Sequence, residues 1–595
     1  MIVDQWFLTP QERQNPHSRI DAAHRPGEGW TTGNLVRPIV HGRPYFEELH
    51  ERICATGPGD LVYFVDWRGD PDQQLTDDPR STVSATLAAA ARRGVDVRGL
   101  LWRSHWRRLG FHAEKSLFLG EEIGAAGGQC LRDMRVRTLG AHHQKFVVLR
   151  HAGDPARDVA YVGGIDLCRS RRDDAAHRGD SQALPMAAEY GPTPAWHDVQ
   201  VAVQGPAVHD VETTFRERWA DSTPLTLNPG RTLSSALQGE DQSPAPLPEQ
   251  APPPPPVAGA TSTVQVVRTY PKILPKGYDF APDGERSIAL GNTKAVANAR
   301  RLVYVEDQYF WSEQVGNHFA TALAANPELR LVVVLPITPD VGAPLGRTPM
   351  LYARKLALDA VLAAGGDRVA VFGLTNESGL PVYVHSKVCV VDDRWASVGS
   401  DNFNRRSWTS DSEIACAVQD ERTPADGPAP HDGFPSVLRR TLVAEHLGCA
   451  PEDVPEDPVE LFDAMVAAAS ALDAWIAGAA GPRSRLRDWS GRVVSRTRRR
   501  GGRRSARARV RAARSADALL GRADGSGGRP PGRLRRLGPP ELTAAQERWA
   551  ALLYPVFDPD GTVLRDEDLE ELTTPDVTGA DDDAAVASST GATKE

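Results

Sequence analysis

A chain of 595 residues exceeds what one compact core usually holds and implies about two to four folded units with linkers. Its 41% hydrophobic and 25% charged residues exclude wholesale disorder, and no run approaches the roughly 18 uninterrupted apolar residues of a spanning helix. The net charge of −9 hides an arginine-dense stretch, Arg483 to Arg514, followed by an acidic final segment.

The first 25 residues hold no basic segment leading into an apolar run and a small-residue cleavage site, so they do not read as a secretory signal. The expectation is a cytoplasmic protein, peripheral at most on the inner face of the membrane. The cysteines, Cys54, Cys130, Cys168, Cys389, Cys416 and Cys449, are widely spaced without a Cys-x-x-Cys pair. That pattern fits neither a zinc site nor a disulfide framework, no metal site is expected, and buried thiols in a reducing compartment are.

In chain order, Leu61 to Trp67, Val95 to Trp102, His143 to Leu149, Val159 to Gly164 and His197 to Val203 are short apolar or alternating segments that predict strands. Helical patterns such as TVSATLAAAARRG lie between them, giving a mixed α/β half. Ser243 to Ser262 is proline-rich and predicts an extended linker. Beyond it the order of elements returns: Leu302 to Phe310, Leu329 to Pro336, Val384 to Asp392, Ala396 to Ser400 and Ser412 to Val418. HQK aligns with HSK, VGGID with VGSDN and HDVQVAV with SEIACAV, so the chain holds an internal duplication. From Pro451 an alanine-rich helix leads into glycine- and arginine-rich sequence, an extension expected to be helical and partly disordered. The predicted boundaries are 1–235, a linker at 236–262, 263–450 and the extension 451–595.

The chemistry concentrates in the duplicated signatures. His385 and Lys387 are two apart, which on a strand directs both side chains to one face. Imidazole is a nucleophile or proton donor near neutrality, and a lysine ammonium supplies fixed charge to a phosphate. Ser400 and Asn402, fifteen and seventeen residues past His385, offer hydroxyl and amide hydrogen bonds to developing charge. The first repeat carries His143 and Lys145 in the same places, with Gly164 and Asp166 where the second has Ser400 and Asn402. A lone His-x-Lys is ordinarily a surface pair without consequence, but two copies in a duplicated unit place one histidine on each side of a phosphorus.

The double His-x-Lys-x4-Asp signature, with GSDNFNRRS, YVEDQYFW and WHDVQV, resembles the phospholipase D superfamily over roughly residues 1 to 450, and is most similar to its two-repeat branch. The resemblance implies two tandem phospholipase D-like α/β sandwich domains related by a pseudo-two-fold axis. It implies a metal-independent displacement without a cofactor, with His143 as nucleophile, His385 as general acid and base, and Lys145 and Lys387 clamping the nonbridging oxygens. It also implies an acid behind each histidine. Register within each repeat assigns Asp198 to His143 and Glu413 to His385, against the plainer reading of two solvent-facing strand carboxylates. Glu306, Gln308 and Tyr309 fall in a segment near the family's cleft, and Trp67, Trp102 and Trp196 are candidates for a lipid pocket or for core.

One departure stands out, Arg150 at the first motif's Asp position, with Asp154 or Asp158 as candidate substitutes. The motif Asp reads as a turn residue, so activity is expected to survive the change. The expected substrates are glycerophospholipids, cleaved by water or transferred to an alcohol, by a monomer acting at a membrane surface. The alternatives are a cardiolipin-synthase-like phosphatidyltransferase, disfavoured by the lack of N-terminal spanning helices, and a nucleic-acid phosphodiesterase, disfavoured by the acids in the repeats. A degenerate lipid-binding scaffold is the non-enzyme alternative. The Arg483 to Arg514 run suits anionic headgroups, nucleic acid or a solvated tail.

Overall fold

The computed structural model describes residues 2–104, 113–237, 239–274, 276–340, 344–424, 428–479 and 529–558. The first half runs β1 (Thr31–Val40), α1 (Gly42–Cys54), β2 (Leu61–Asp66), α2 (Val83–Arg92), β3 (Asp96–Trp102), α3 (Ala113–Ala125) and β4 (Gln129–Asp133). It continues with β5 (Phe146–Arg150), β6 (Val159–Gly163), β7 (Ala195–His197), β8 (Val199–Gln204), α4 (Ala207–Ala220) and α5 (Pro229–Leu237). The second half begins with β9 (Ser262–Tyr270), β10 (Glu285–Arg286), α6 (Ser287–Ala297), β11 (Leu302–Glu306), α7 (Glu313–Ala325), β12 (Arg330–Val334) and α8 (Pro344–Gly365). Then follow β13 (Val369–Thr375), β14 (Pro381–Val384), β15 (Val388–Val391), β16 (Trp395–Gly399), β17 (Glu413–Asp420) and α9 (Phe434–Leu447). The chain closes with α10 (Pro458–Ala479), β18 (Leu534–Leu537) and α11 (Ala544–Phe557).

Strand registers make the duplication explicit. The first sheet is ordered β4-β3-β2-β5-β6-β8-β1, with β2, β3 and β4 parallel and the remaining pairs antiparallel. The second is ordered β13-β12-β11-β15-β16-β17-β9, with the same parallel trio at one side. Parallel strands require crossovers, which explains why helices separate the first strands of each repeat while hairpins join the later ones.

The strands read as continuous apolar runs because both faces of each sheet are covered. Tyr63, Val65, Val148 and Val201 from the first sheet share one core with Tyr304, Val332, Val390 and Val398 from the second, joined by Phe215 of α4 and Leu442 of α9. Their alternates turn outward. Val62, Phe64 and Val147 pack under α1 to α3, and Val303, Val305 and Val333 under α6 to α8. This layered α/β arrangement of two like sheets matches the expected fold class.

Several sequence-derived boundaries change. Trp6, Phe7 and Trp30 lie in the outer core of the second sheet, so the stretch before β1 packs with the second repeat although it precedes the first. The linker is a strap bound along the first half: the carbonyl oxygens of Ala245, Pro248 and Pro252 accept hydrogen bonds from Trp219, Arg216 and Arg150. Prolines lack an N–H, so their carbonyls are the groups such a strap offers. The extension after Pro451 is no mere appendage. Leu461, Met465 and Ala469 of α10 enter the shared core, β18 adds an antiparallel strand beside β13, and α11 packs on α8. By length and composition alone, Pro458–Gly478 is the one helix among the described residues apolar enough to cross a membrane. Of its apolar window 33% is buried: one face, with Leu461, Met465 and Ala469, packs beside β12 and β13. The Arg483 to Arg514 run and the acidic end lie outside the described residues, as does the disorder expected there. Of the cysteines, Cys168, Cys389 and Cys416 are buried as expected, but Cys54 is exposed and Cys130 and Cys449 half-buried.

Arg150 and Asp392 occupy matching register positions and do different jobs. The carboxylate of Asp392, at φ 52°, accepts the backbone N–H groups of Arg300 (2.6 Å), Arg301 and Leu302 (both 2.8 Å) and so fixes the entry to β11. Arg150 is buried, donates to Asp158 at 2.6 Å and to Pro252 O at 2.7 Å, and also bonds Glu212. Asp158 is therefore the counter-ion of Arg150 and does not substitute for the motif acid. Truncating one partner of a buried ion pair strands the others. Arg150→Ala is expected to cost about 3–5 kcal/mol in a urea melt. Arg150→Asp, which restores the motif letter, is expected to cost more, because it buries a third carboxylate beside Asp158 and Glu212.

Candidate active site at the seam of the repeats

Neither His-x-Lys triplet lies within a strand, contrary to the expected His143 to Leu149 and Val384 to Asp392 segments. β5 begins at Phe146, and β14 ends at Val384 before β15 starts at Val388. Each triplet instead docks on the opposite repeat. His143 N–H donates to Ser412 O at 2.9 Å, and His385 N–H to His197 O at 2.8 Å. Flanking these bonds, β14 runs parallel to β7, and His142 bridges Ser412 in the same sense. The backbone leaves its own ladder because its hydrogen bonds are made across the pseudo-symmetric seam.

The crossing corrects the pairing of histidines with acids. His143 Nδ1 lies 3.0 Å from both carboxylate oxygens of Glu413, and His385 Nδ1 lies 2.7 Å from Asp198 Oδ2. Asp198 therefore serves His385 and Glu413 serves His143, the reverse of the within-repeat assignment. Both carboxylates are buried, so the reading of solvent-facing strand acids is also set aside. Each acid is fixed in turn. Glu413 accepts from Ser400 Oγ at 2.5 Å and Ser407 Oγ at 2.8 Å, and Asp198 accepts from Val199 N–H at 2.9 Å and Trp196 Nε1–H at 3.3 Å.

The remaining predicted residues gather here with different tasks. Lys145 and Lys387 are buried and each donates to the carbonyl of its own histidine. Lys387 also reaches Gln308 Oε1 at 3.1 Å, and Lys145 stands 3.7 Å from Asp166. Ser400 supports Glu413, so its hydroxyl is not a donor aimed at the cleft. At Gly164 a Cβ would fall 2.1 Å from Asp198 Oδ1, so glycine makes room for the acid where Ser400 holds one. Asn402 is buried, and its Oδ1, an acceptor, has no hydrogen-bond partner. Glu306 turns away toward His197 and His446, at 2.7 Å from each. Tyr309 stacks on Trp311 at 4.0 Å.

Sequence reasoning missed Arg171 and Ser407. The Arg171 guanidinium lies 3.9 Å over the Trp196 ring and 3.5 Å from Asp166, and its field reaches His385. Nothing in its local sequence separates it from Arg172, whose partners are surface acids. Ser407 could have been found as the last residue of GSDNFNRRS. The tryptophans weighed between pocket and core sit at the site. Trp67 meets His143 edge-on at 6.4 Å and stacks on Trp102, while Trp196 lies 4.9 Å from His385.

Electrostatics ready the site for an anion. Burial and the nearby Lys145 and Lys387 hold the His143 imidazole well below its usual pKa. Burial with Lys387, Arg171 and Lys145 does the same for His385. Burial pushes Glu413 up to about 7, and pushes the Lys387 ammonium down to about 8. A nucleophilic His143 needs Glu413 ionised to hold the Nδ1 proton, and anion binding needs Lys387 charged. The profile of kcat/KM is therefore expected to be a bell, rising through about 7 as Glu413 loses its proton and falling through about 8 as Lys387 does. Glu413→Gln should remove the acid limb, and Lys387→Arg should carry the alkaline limb beyond the measured range.

Two histidine–lysine pairs, each histidine steadied by a carboxylate of the other repeat, define a two-half site for transfer at an anionic tetrahedral centre. The family model described as "Phospholipase D" matches residues 59–245, and the one described as "Cardiolipin synthase, PLD-like domain" matches 293–426. The chain belongs to the phospholipase D superfamily. Among curated relatives it is 25% identical over 482 residues to phospholipase D gamma 2 of Arabidopsis thaliana, covering 61% of this chain and 54% of that one. It is 24% identical over 510 residues to phospholipase D1 of Saccharomyces cerevisiae, covering 70% and 29% respectively. The chain thus spans about half the length of the plant relative and under a third of the yeast one. Among solved structures, phosphatidylserine synthase of Haemophilus influenzae Rd KW20 aligns with a TM-score of 0.42 at 11% identity, over 65% of this chain and 82% of that one.

Proposed function

We propose that the protein is a phospholipase D or transphosphatidylase that exchanges or hydrolyses glycerophospholipid headgroups. The observation that carries the reading is the pair of histidines, His385 buried and His143 part-exposed, each with its lysine and each oriented by an acid from the opposite repeat. In the first step His143 Nε2 attacks phosphorus, the bond from phosphorus to the headgroup oxygen breaks, and His385 gives that oxygen its proton. In the second, His385 takes a proton from water or an alcohol, whose oxygen displaces His143 and yields phosphatidic acid or a phosphatidylalcohol. Lys145, Lys387 and the amide of Asn402 would hold the nonbridging oxygens, where the charge they bring grows in value with burial. A bound diester between the two lysines offsets the field that lowers His385, which lets that imidazole carry the proton it must deliver.

The phospholipid class is supported by the names of the two relatives given above, both phospholipases D. Action at the membrane's inner face belongs to the same proposal. The assay is purified full-length protein with phosphatidylcholine or phosphatidylethanolamine vesicles and added ethanol. Phosphatidic acid and phosphatidylethanol are expected, and the absence of both would defeat the reading. The second-half match to a cardiolipin synthase domain favours one further acceptor, a lipid hydroxyl. Phosphatidylglycerol in the same assay tests it, with cardiolipin as the diagnostic product.

A further inference from the structure

Behind the Asp198 side of the site lies a second polar cluster that the displacement does not use. His41, just before α1, His177 in the loop between β6 and β7, His197 at the end of β7 and Glu445 of α9 bring four ligand-type atoms within 4.8 Å of one another. His41 Nε2 lies 2.7 Å, His177 Nε2 2.8 Å and His197 Nδ1 3.6 Å from the Glu445 carboxylate. The three rings ring it closely, with centroids 4.9, 5.1 and 5.9 Å apart. All three histidines are buried, and His197 Nδ1 has no hydrogen-bond partner. The Glu445 side chain keeps 14% of its surface exposed, which gives an ion a way in.

The geometry points to a tetrahedral zinc-type site made by His41, His177, His197 and Glu445. Zinc to nitrogen bonds of about 2.0–2.1 Å put tetrahedral ligand atoms about 3.3 Å apart, so the contacts at 2.7 and 2.8 Å would open slightly and the wider ones, all within 4.8 Å, would close. The far side of one ring is held as metal-bound histidines usually are, by a carboxylate that fixes the tautomer, and a second ring has a carboxylate nearby. His197 Nε2 contacts Glu306 at 2.7 Å, and His177 Nδ1 stands 3.6 Å from Asp173. Charge points the same way. Four imidazoles, counting His446 on Glu306, surround the buried Glu306 carboxylate and the part-buried Glu445 one, and one dication neutralises both while every imidazole stays neutral. All four ligands are nitrogen or oxygen donors of the borderline kind zinc takes, and none is left for water, so the ion is structural.

Its place explains its use. His41, His177 and His197 belong to the first repeat and Glu445 to the second, so the ion ties the halves together. His197 also carries the carbonyl that anchors His385 and precedes Asp198, the acid that orients it. The ion would stiffen the seam that holds one half of the active site without touching the reacting atoms.

The test is metal content of the purified full-length protein after passage over a chelating resin. One zinc per chain is expected, falling about tenfold or more in His177→Ala and in Glu445→Gln and staying at one in His209→Ala. Because a ligand variant could fail to fold, the wild-type chain is also stripped and reloaded with cobalt(II), which should develop the intense visible bands of tetrahedral coordination, while stripping lowers the unfolding temperature. Absence of both stoichiometric zinc and tetrahedral cobalt bands would overturn the site and leave a proton-held histidine–carboxylate network. An ion lost in Cys54→Ser but kept in Glu445→Gln would overturn it too, placing the metal at the surface Cys54–His50 pair.

Discussion

With a p-nitrophenyl phosphodiester, whose leaving group departs without a proton, the pre-steady-state burst of p-nitrophenolate is expected to slow about 10²–10⁴-fold in Glu413→Gln and to stay close to wild type in Asp198→Asn. With a phospholipid, whose alkoxide must be protonated, both variants should fall by that order, since an acid-to-amide change behind a catalytic histidine costs up to about 10⁴ in related dyads. The difference arises because Glu413 contacts His143 and Asp198 contacts His385. The experiment is independent of the nucleophile assignment. Peptide mapping of the trapped phosphohistidine identifies the attacking residue, and the acid still costly with the activated ester should then come from the opposite repeat. Coupling of each histidine to the acid of its own repeat would refute the crossed pairing.

His143→Ala and His385→Ala are each expected to reduce phospholipid turnover by about 10³-fold or more, because one removes the covalent acceptor and the other the proton donor. Mixing the two inactive variants should restore nothing. Both half-sites sit on one chain and meet through the backbone bonds from His143 to Ser412 and from His385 to His197. Recovery of activity on mixing, read as choline release against the single variants, would mean that halves exchange between chains and that the intramolecular site is wrong. The double variant should be no worse than the weaker single one, as for residues that act as a unit.

The strand periods, the repeated signatures and their element order were legible because they are local: alternation, apolar runs and spacing survive in one dimension. The turn role of the motif Asp was legible too, and Asp392 caps three backbone N–H groups as that role requires. The strand before the first helix of each repeat was not marked out. β1 contains Gly33 and Pro38, which break the alternation, and its pairing with β8 closes a contact about 160 residues distant in the chain. Arg171 was equally invisible. Its difference from Arg172 is the direction in which a loop turns, and the sequence of the loop is arginine in both places.

His143, Lys145, His385 and Lys387 were determined by the sequence alone, because a duplicated signature carries its meaning in residue identity and spacing. Which acid serves which histidine was decided only in three dimensions. Register within a repeat aligns Asp198 with Glu413, but it cannot say across which seam each side chain points. The two sheets share a core, each triplet leaves its own ladder to bond the opposite repeat, and the acids on β17 and beside β7 thereby face the histidine of the other half. The convergence of His41, His177, His197 and Glu445, drawn from residues 41 to 445, has the same origin. Such contacts are set by packing between distant segments, which no local pattern encodes.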